Sequence, residues 1–302
     1  MSRWIVTGTL FALMLLSVVV VGFPHAEATD RLVVAEVLTA QNCPYCAVAD
    51  PEVSEFFERN RGEVVIIAYH PEEFKGVPDP MGIPFEAVRR ATIDFEGYPT
   101  VVFDGLETVV GGYEGVSQEY QAELDARMGV DAPLRLNVDV ALTGDRLMAT
   151  VNGTPERDVL HETGLYVVLT EDHVDYRGNN GIDDFRFVAR DVRSVSVLVI
   201  SGEDFSESFS FPTAGMDTGY LRVVAFVMDM ETGEILQGAA ARVKGSDIPA
   251  REGDDGGGGG LTPLQVTLLG VVIVILGAGA FLVWDDRRRR ALRGRRPRKG
   301  GD

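Results

Sequence analysis

The chain has 302 residues, of which 45% are apolar, and carries a net charge of −18. That length is enough for two domains of roughly 100–200 residues each, and the apolar share supplies a core, so global disorder and collagen-like repetition are excluded. Two cysteines and four histidines rule out a multi-disulfide framework and leave little for a structural zinc site.

The charge is unevenly spread. Residues 29–284 hold 18 basic and 42 acidic side chains, a net −24, while Arg287–Lys299 holds eight Arg and one Lys. An acidic body repels nucleic acid and anionic lipid, so no nucleic-acid partner is expected. Lysine occurs in the body only at Lys75 and Lys244, a composition that fits either salt adaptation or Arg-for-Lys usage.

In chain order, Ile5–Val21 is an uncharged apolar run behind Arg3, followed by Ala26-Glu27-Ala28. This pattern predicts an export signal over residues 1–28, with an uncleaved anchor as the rival. Arg31–Ala40 reads as a strand rich in β-branched residues. Gln41-Asn42-Cys43-Pro44-Tyr45-Cys46 follows, with Pro44 suited to the first position of a helix. Ala47–Asn60 has helical spacing, with Val48, Val53, Phe56 and Phe57 toward the core and Pro51 expected to kink the helix or reset its start. Glu63–Tyr69 is a second, nearly all-apolar strand, as in a sheet covered on both faces.

Cys43 and Cys46 thus fall between a strand and the mouth of a helix, where unpaired N–H groups and a partial positive charge stabilise a thiolate. Cys43 is expected to be the exposed nucleophile and Cys46 the thiol that resolves the mixed disulfide. The rivals are half of a zinc ribbon, which lacks a second Cys-x-x-Cys, and an inert buried pair. Glu72–Gly82, with Pro78 and Pro80, reads as a loop near this edge, either a connector or a lid. Gly97-Tyr98-Pro99-Thr100 precedes Val101–Phe103, and Asp104-Gly105 turns that run into Glu107–Val110. Ser117–Met128 supplies a closing helix.

On these residues the segment from about Arg31 to Gly129 resembles the thioredoxin superfamily, with a Cys43-Pro44-Tyr45-Cys46 dithiol of glutaredoxin form. The resemblance implies a cis Tyr98–Pro99 bond, Pro99 packed against the dithiol, and a substrate-binding role for Pro44, Tyr45, Tyr98 and Pro99. It departs from the family in having Asn42 where thioredoxins have Trp. The family buries an acid in the strand before the dithiol; the only candidate here is Glu36, on one face with Val34 and Leu38 by alternation. Glu36 as proton shuttle, and His70 at the end of the second strand as a residue tuning Cys43 or touching substrate, are possible accessory residues.

From Pro133 the pattern turns to β. Leu134–Val140 alternates strictly, Thr143-Gly144-Asp145-Arg146 turns, and Leu147–Val151 returns. Further strands fall near 165–170, 185–188, 195–200, 207–211, 220–228 and 235–243, which suggests an antiparallel sandwich. No catalytic constellation is evident there; His161 and His173 read as solvated, no calcium loop fits Asp172, Asp175, Asp183 and Asp184, and Asn152-Gly153-Thr154 is a glycosylation sequon. The pairing of halves is similar to exported, outer-membrane-protein-like thioredoxin-fold proteins with a C-terminal β domain. Arg251–Gly260 reads as a flexible tether. Leu264–Trp284 is 21 uncharged residues, long enough to span a bilayer of about 30 Å, and the basic tail behind it faces the cytoplasm by the positive-inside rule.

The expected fold class is therefore an α/β thioredoxin-like domain (29–131) followed by an all-β antiparallel sandwich-like domain (132–248), a linker (249–262), a C-terminal transmembrane helix (263–284) and a cytoplasmic tail (285–302). The expected function is a membrane-anchored, extracytoplasmic thiol–disulfide oxidoreductase, with Cys43 and Cys46 catalytic. Its partners would be thiols and disulfides of exported proteins and an envelope redox partner; no metal, and no cofactor beyond the Cys43–Cys46 pair, is expected. The alternative is a cell-surface binding or scaffold protein with a structural dithiol. Metal delivery, with copper(I) held by the dithiolate and His70, ranks behind both.

Overall fold

The computed structural model describes residues 31–243. All of these described residues belong to one compact unit. The export segment, the polyglycine tether, the expected span and the basic tail lie outside the described residues.

Strand β1 (Val33–Leu38), helix α1 (Cys46–Arg59) and strand β2 (Val64–Tyr69) open the fold. The two strands are parallel, from Val33 opposite Val64 to Leu38 opposite Tyr69, and every residue in both is buried. Strands apolar on both faces need cover on both. Helix α1 covers one face, packing Val53, Phe56 and Phe57 on Val33, Ala35 and Val37. It begins at Cys46, two residues later than Pro44 suggests, and runs on through Pro51 instead of starting again there.

The loop after β2 contains a small hairpin, β3 (Glu73–Phe74) and β4 (Val77–Pro78), and then helix α2 (Pro84–Arg90). Strand β5 (Thr100–Phe103) pairs antiparallel with β1 and turns into β6 (Glu107–Val110). The loop has three residues, and in the β-turn that the Leu106 N–H closes on the Phe103 carbonyl at 3.1 Å both central residues, Asp104 and Gly105, have positive φ, 46° and 76°, as a turn of that hand demands. Helix α3 (Ser117–Met128) adds Tyr120 and Leu124 to the core under α1.

The second half forms β7 (Leu134–Thr143), β8 (Arg146–Pro155), β9 (Thr163–Glu171), β10 (Val174–Asp175), β11 (Asp184–Phe185), β12 (Val188–Val197), β13 (Phe205–Pro212), β14 (Leu221–Asp229) and β15 (Ile235–Arg242). These strands correct the expected fold class. The two halves are not a thioredoxin-like domain beside a sandwich. They share one eight-stranded mixed sheet in the order β15-β14-β9-β12-β2-β1-β5-β6. The join is the parallel contact of β12 with β2, where Val188 faces Ala68 and the Ala68 N–H donates to the Phe187 carbonyl at 2.8 Å. A fully buried strand such as β2 must satisfy both its edges, and β12 supplies the second. Nor does any helix among the described residues have the length and apolarity to cross a membrane.

Strand β15, at the far edge of the sheet, returns to meet β1. The Gly238 N–H donates to the Leu32 carbonyl at 3.2 Å and the Ile235 N–H to the Asp104 carbonyl at 2.8 Å. A Cβ on Gly238 would lie 2.7 Å from Val34 Cγ2 and 2.8 Å from the Leu32 oxygen, so the close approach requires glycine. One core consequently mixes Val34, Ile67 and Tyr69 with Val168, Val224 and Phe226. The separate sheet β13-β8-β7 packs Leu134, Leu147, Val151 and Phe211 on Leu165, Val167, Val223 and Ala225.

Candidate functional site: a buried dithiol at the mouth of a helix

Cys43 lies in the loop before α1, and Cys46 is the first helical residue. Both are free thiols. The Cys46 N–H donates to Cys43 Sγ at 3.3 Å, and that sulfur is 3.5 Å from the Tyr98 carbonyl oxygen. The Tyr98–Pro99 bond is cis and Pro99 is buried. Cys43, Cys46, Tyr98 and Pro99, far apart in sequence, thus come together. Pro44 and Tyr45 stand exposed at the rim.

The two thiols are electrostatically unlike. Cys43 is lowered to about 6, first by its hydrogen bond with the Cys46 thiol and then, against the cost of burial, by the backbone N–H groups of Cys46 and Tyr45 and the charge of Lys75. Cys46 is pushed far upward, first by burial and then by its bond to Cys43 and the nearby Asp50 charge. One thiol is therefore ionised near neutral pH while its neighbour holds its proton.

The expected exposure of Cys43 is corrected: it is only 2% exposed and Cys46 is fully buried. Phe74, on the β3–β4 hairpin, and Tyr98 close over the sulfurs. A segment from the second half holds the loop from the other side. Asn180 Nδ2 donates to the Cys43 carbonyl at 3.3 Å, the Asn180 N–H to the Gln41 carbonyl at 3.0 Å, and the Asn179 N–H to Gln41 Oε1 at 2.9 Å.

Glu36 does not reach the dithiol. Its face of β1 is the one turned away from α1, and Arg89 of α2 takes both carboxylate oxygens, with Nε at 2.8 Å. Alternation identified the residues sharing that face but could not say which face the helix covers. The acid next to the dithiol is Asp50, one helical turn beyond Cys46. Thr39 Oγ1 is 3.1 and 3.2 Å from its two oxygens and also meets the Cys46 thiol. Burial raises the Asp50 carboxyl to about 7, only partly opposed by His70 and Thr39. The spacing of four residues behind Cys46 is the signal that could have revealed it.

His70 is buried, with Nδ1 2.9 Å from Asp79 Oδ2. Asp79 also accepts the N–H groups of Gln41 and Met81. Burial alone would raise its carboxyl, but these bonds and His70 hold it below the ordinary range. His70 and Asp50 line a partly open cavity of about 200 Å³ beside α1, to which the second half contributes Ile182, Asp184, Phe185, Arg186 and Phe187. His70 is therefore a wall of this cavity and a brace of the loop, set behind the dithiol. In the second half, His161 pairs with Asp229, His173 with Asp184 and Asp172 with Arg186, and Asn152 lies within β8, bonded to Ser206.

No protein-family model matches the chain, and no curated protein does. Among solved structures, HBP35 of Porphyromonas gingivalis aligns at 17% identity over 74% of this chain and 78% of its own, with a TM-score of 0.62. A protein of Agrobacterium tumefaciens aligns at 16% identity over 74% of this chain and all of its own (100%), with a TM-score of 0.52. At such identities the likeness is one of fold, and it extends across both halves of the described unit.

Proposed function

We propose that the protein is a thiol–disulfide oxidoreductase acting on polypeptide cysteines outside the cytoplasm, held at a membrane by its C-terminal segment. The observation that carries this reading is the unlike character of the two thiols, Cys43 low and Cys46 high, beside the Tyr98 carbonyl. The chemistry is the one that the resemblance to the thioredoxin superfamily implies. Cys43 thiolate attacks a substrate disulfide, forming a Cys43–substrate disulfide and expelling the other substrate sulfur as thiolate. Cys46 loses its proton, through Thr39 to Asp50, and its thiolate attacks Cys43 Sγ. The Cys43–Cys46 disulfide forms, the second substrate sulfur leaves, and two electrons have passed from the dithiol to the substrate. The reverse sequence oxidises a substrate dithiol.

The test is covalent capture. In Cys46→Ser, Cys43 can attack but nothing resolves the product, so mixed disulfides with unfolded cystine-containing proteins should accumulate and dissolve on reduction. A Cys43 that forms no such adduct in the folded variant sinks the proposal. The burial of both sulfurs favours a second reading, a surface binding protein whose dithiol is structural. It predicts that replacing both cysteines by Ser lowers stability and changes no thiol exchange.

A further inference from the structure

The hairpin β3–β4 forms a two-stranded sheet of its own, Glu73 opposite Pro78 and Phe74 opposite Val77. Its turn, Lys75-Gly76, has positive φ at both residues, 52° and 76°, so the strand direction reverses within two residues. A hairpin this short has little stability of its own. The Asp79 N–H closes its base on the Glu72 carbonyl at 2.9 Å, and two tethers seat it: Gln41 Nε2 on the Pro78 carbonyl at 3.2 Å and Asn42 Nδ2 on the Phe74 carbonyl at 2.9 Å.

What the hairpin brings to the site is Phe74. It packs on the buried cluster of Ala40, Cys43 and Cys46 and lies edge-on to Tyr98 with 5.0 Å between ring centroids; Phe95 meets the Tyr98 ring edge-on at the same distance. With Phe74 and Tyr98 in place Cys43 is 2% exposed.

We infer that Phe74 is a specificity-determining residue: seated on the β3–β4 hairpin, it seals Cys43 against small disulfides and is displaced by extended polypeptides that occupy its place beside Tyr98. The inference rests on the oxidoreductase reading and names its substrate class. A small disulfide makes too few contacts to repay opening and reacts only with the fraction of molecules already open. A polypeptide lying along Tyr98 gains apolar and backbone contacts that exist only once Phe74 has left, so its binding energy drives the opening. The exchange itself is the one written above, with the substrate disulfide as the electron acceptor.

The experiment uses the full reduced chain and two probes at pH 7: 5,5′-dithiobis(2-nitrobenzoic acid), and a ten-residue peptide disulfide with apolar residues flanking its cysteine. Phe74→Ala should accelerate the small probe at least tenfold and the peptide no more than about threefold. Asn42→Ala, which cuts one tether and keeps the ring, should move the small probe in the same direction by a smaller factor, and it carries the test if Phe74→Ala does not fold. Equal acceleration of both probes, or no acceleration of the small probe in a folded variant, overturns the inference. Failure of the underlying reading looks different: the wild-type chain would then exchange with the small probe and with no peptide or protein disulfide.

Discussion

Cys43 and Asp50 are shifted in opposite directions, each into the neutral range. Cys43 is depressed in the folded protein, from 9.0 to about 6. Its contribution to the stability of the reduced form is fully present above pH 9 and is lost as pH falls through 6. Alkylation of Cys43 by iodoacetamide should accordingly rise with a midpoint near pH 6, and a midpoint near 9 would remove the case for a stabilised thiolate. Asp50 is raised, from 3.8 to about 7. Its contribution is present below the ordinary carboxylate range and is lost as pH rises through 7. Asp50→Asn should therefore raise the melting temperature by a few degrees at pH 8, on the order of 1–2 kcal/mol, with the gain vanishing near pH 4. The same variant should slow resolution of a Cys43 mixed disulfide at least tenfold and erase its inflection near pH 7, because Cys46 loses its proton acceptor. A stabilised variant with unchanged resolution would make Asp50 merely a buried acid. Of this site, the dithiol and Tyr98–Pro99 were legible in the sequence, since a helix mouth and a proline before a strand are local features. Asp50 lay within reach of an i,i+4 argument. Phe74 and Asn180 were not legible, because a loop side chain carries no periodicity and Asn180 sits 137 residues from its partner, Cys43.

At the level of elements, most strands and helices follow from periodicity. β1, β2, α1, the Asp104-Gly105 hairpin and α3 fall within a few residues of the expected bounds. What periodicity could not reveal is the face each element presents. Val34, Glu36 and Leu38 share a face of β1 whether α1 lies above or below, and Glu36 proved to be the partner of Arg89. The return of β15 to β1 has the same character, since Gly238 in an otherwise ordinary strand marks a close backbone approach without naming the neighbour. Gly238→Ala should destabilise the protein by about 1–3 kcal/mol, read as a lower urea midpoint with an unchanged m-value. Cost-free replacement would mean that β15 and β1 separate readily.

For the described unit as a whole, the question is whether the halves fold apart. Asp104, fully buried, accepts Arg31 Nε at 2.7 Å, Arg127 Nε at 3.1 Å and the Val34 N–H at 2.9 Å, while Arg31 also donates to the Ile235 carbonyl. This knot ties the first strand to the last. Removing residues 132–243 would leave Asp104 with its arginines but expose the edge of β2 and the Val34, Ile67 and Tyr69 face. A fragment of residues 29–131 should therefore be molten or aggregated, and residues 31–243 should unfold in one calorimetric transition. Two resolved transitions would restore the independent domains that the change of pattern at Pro133 suggests.

The sequence by itself determined the local chemistry: a strand, a Cys-Pro-Tyr-Cys turn, a helix whose first N–H groups face a sulfur, and a proline before a hairpin. Each depends on hydrogen bonds and side-chain alternation within a few neighbouring residues. Only the tertiary structure decided the order of the eight strands, the choice of Asp50 over Glu36, the closure of Phe74 over Cys43 and the clamp of Asn180. Those depend on which buried edges and faces, a hundred or more residues apart, satisfy one another, and chain order does not record that choice.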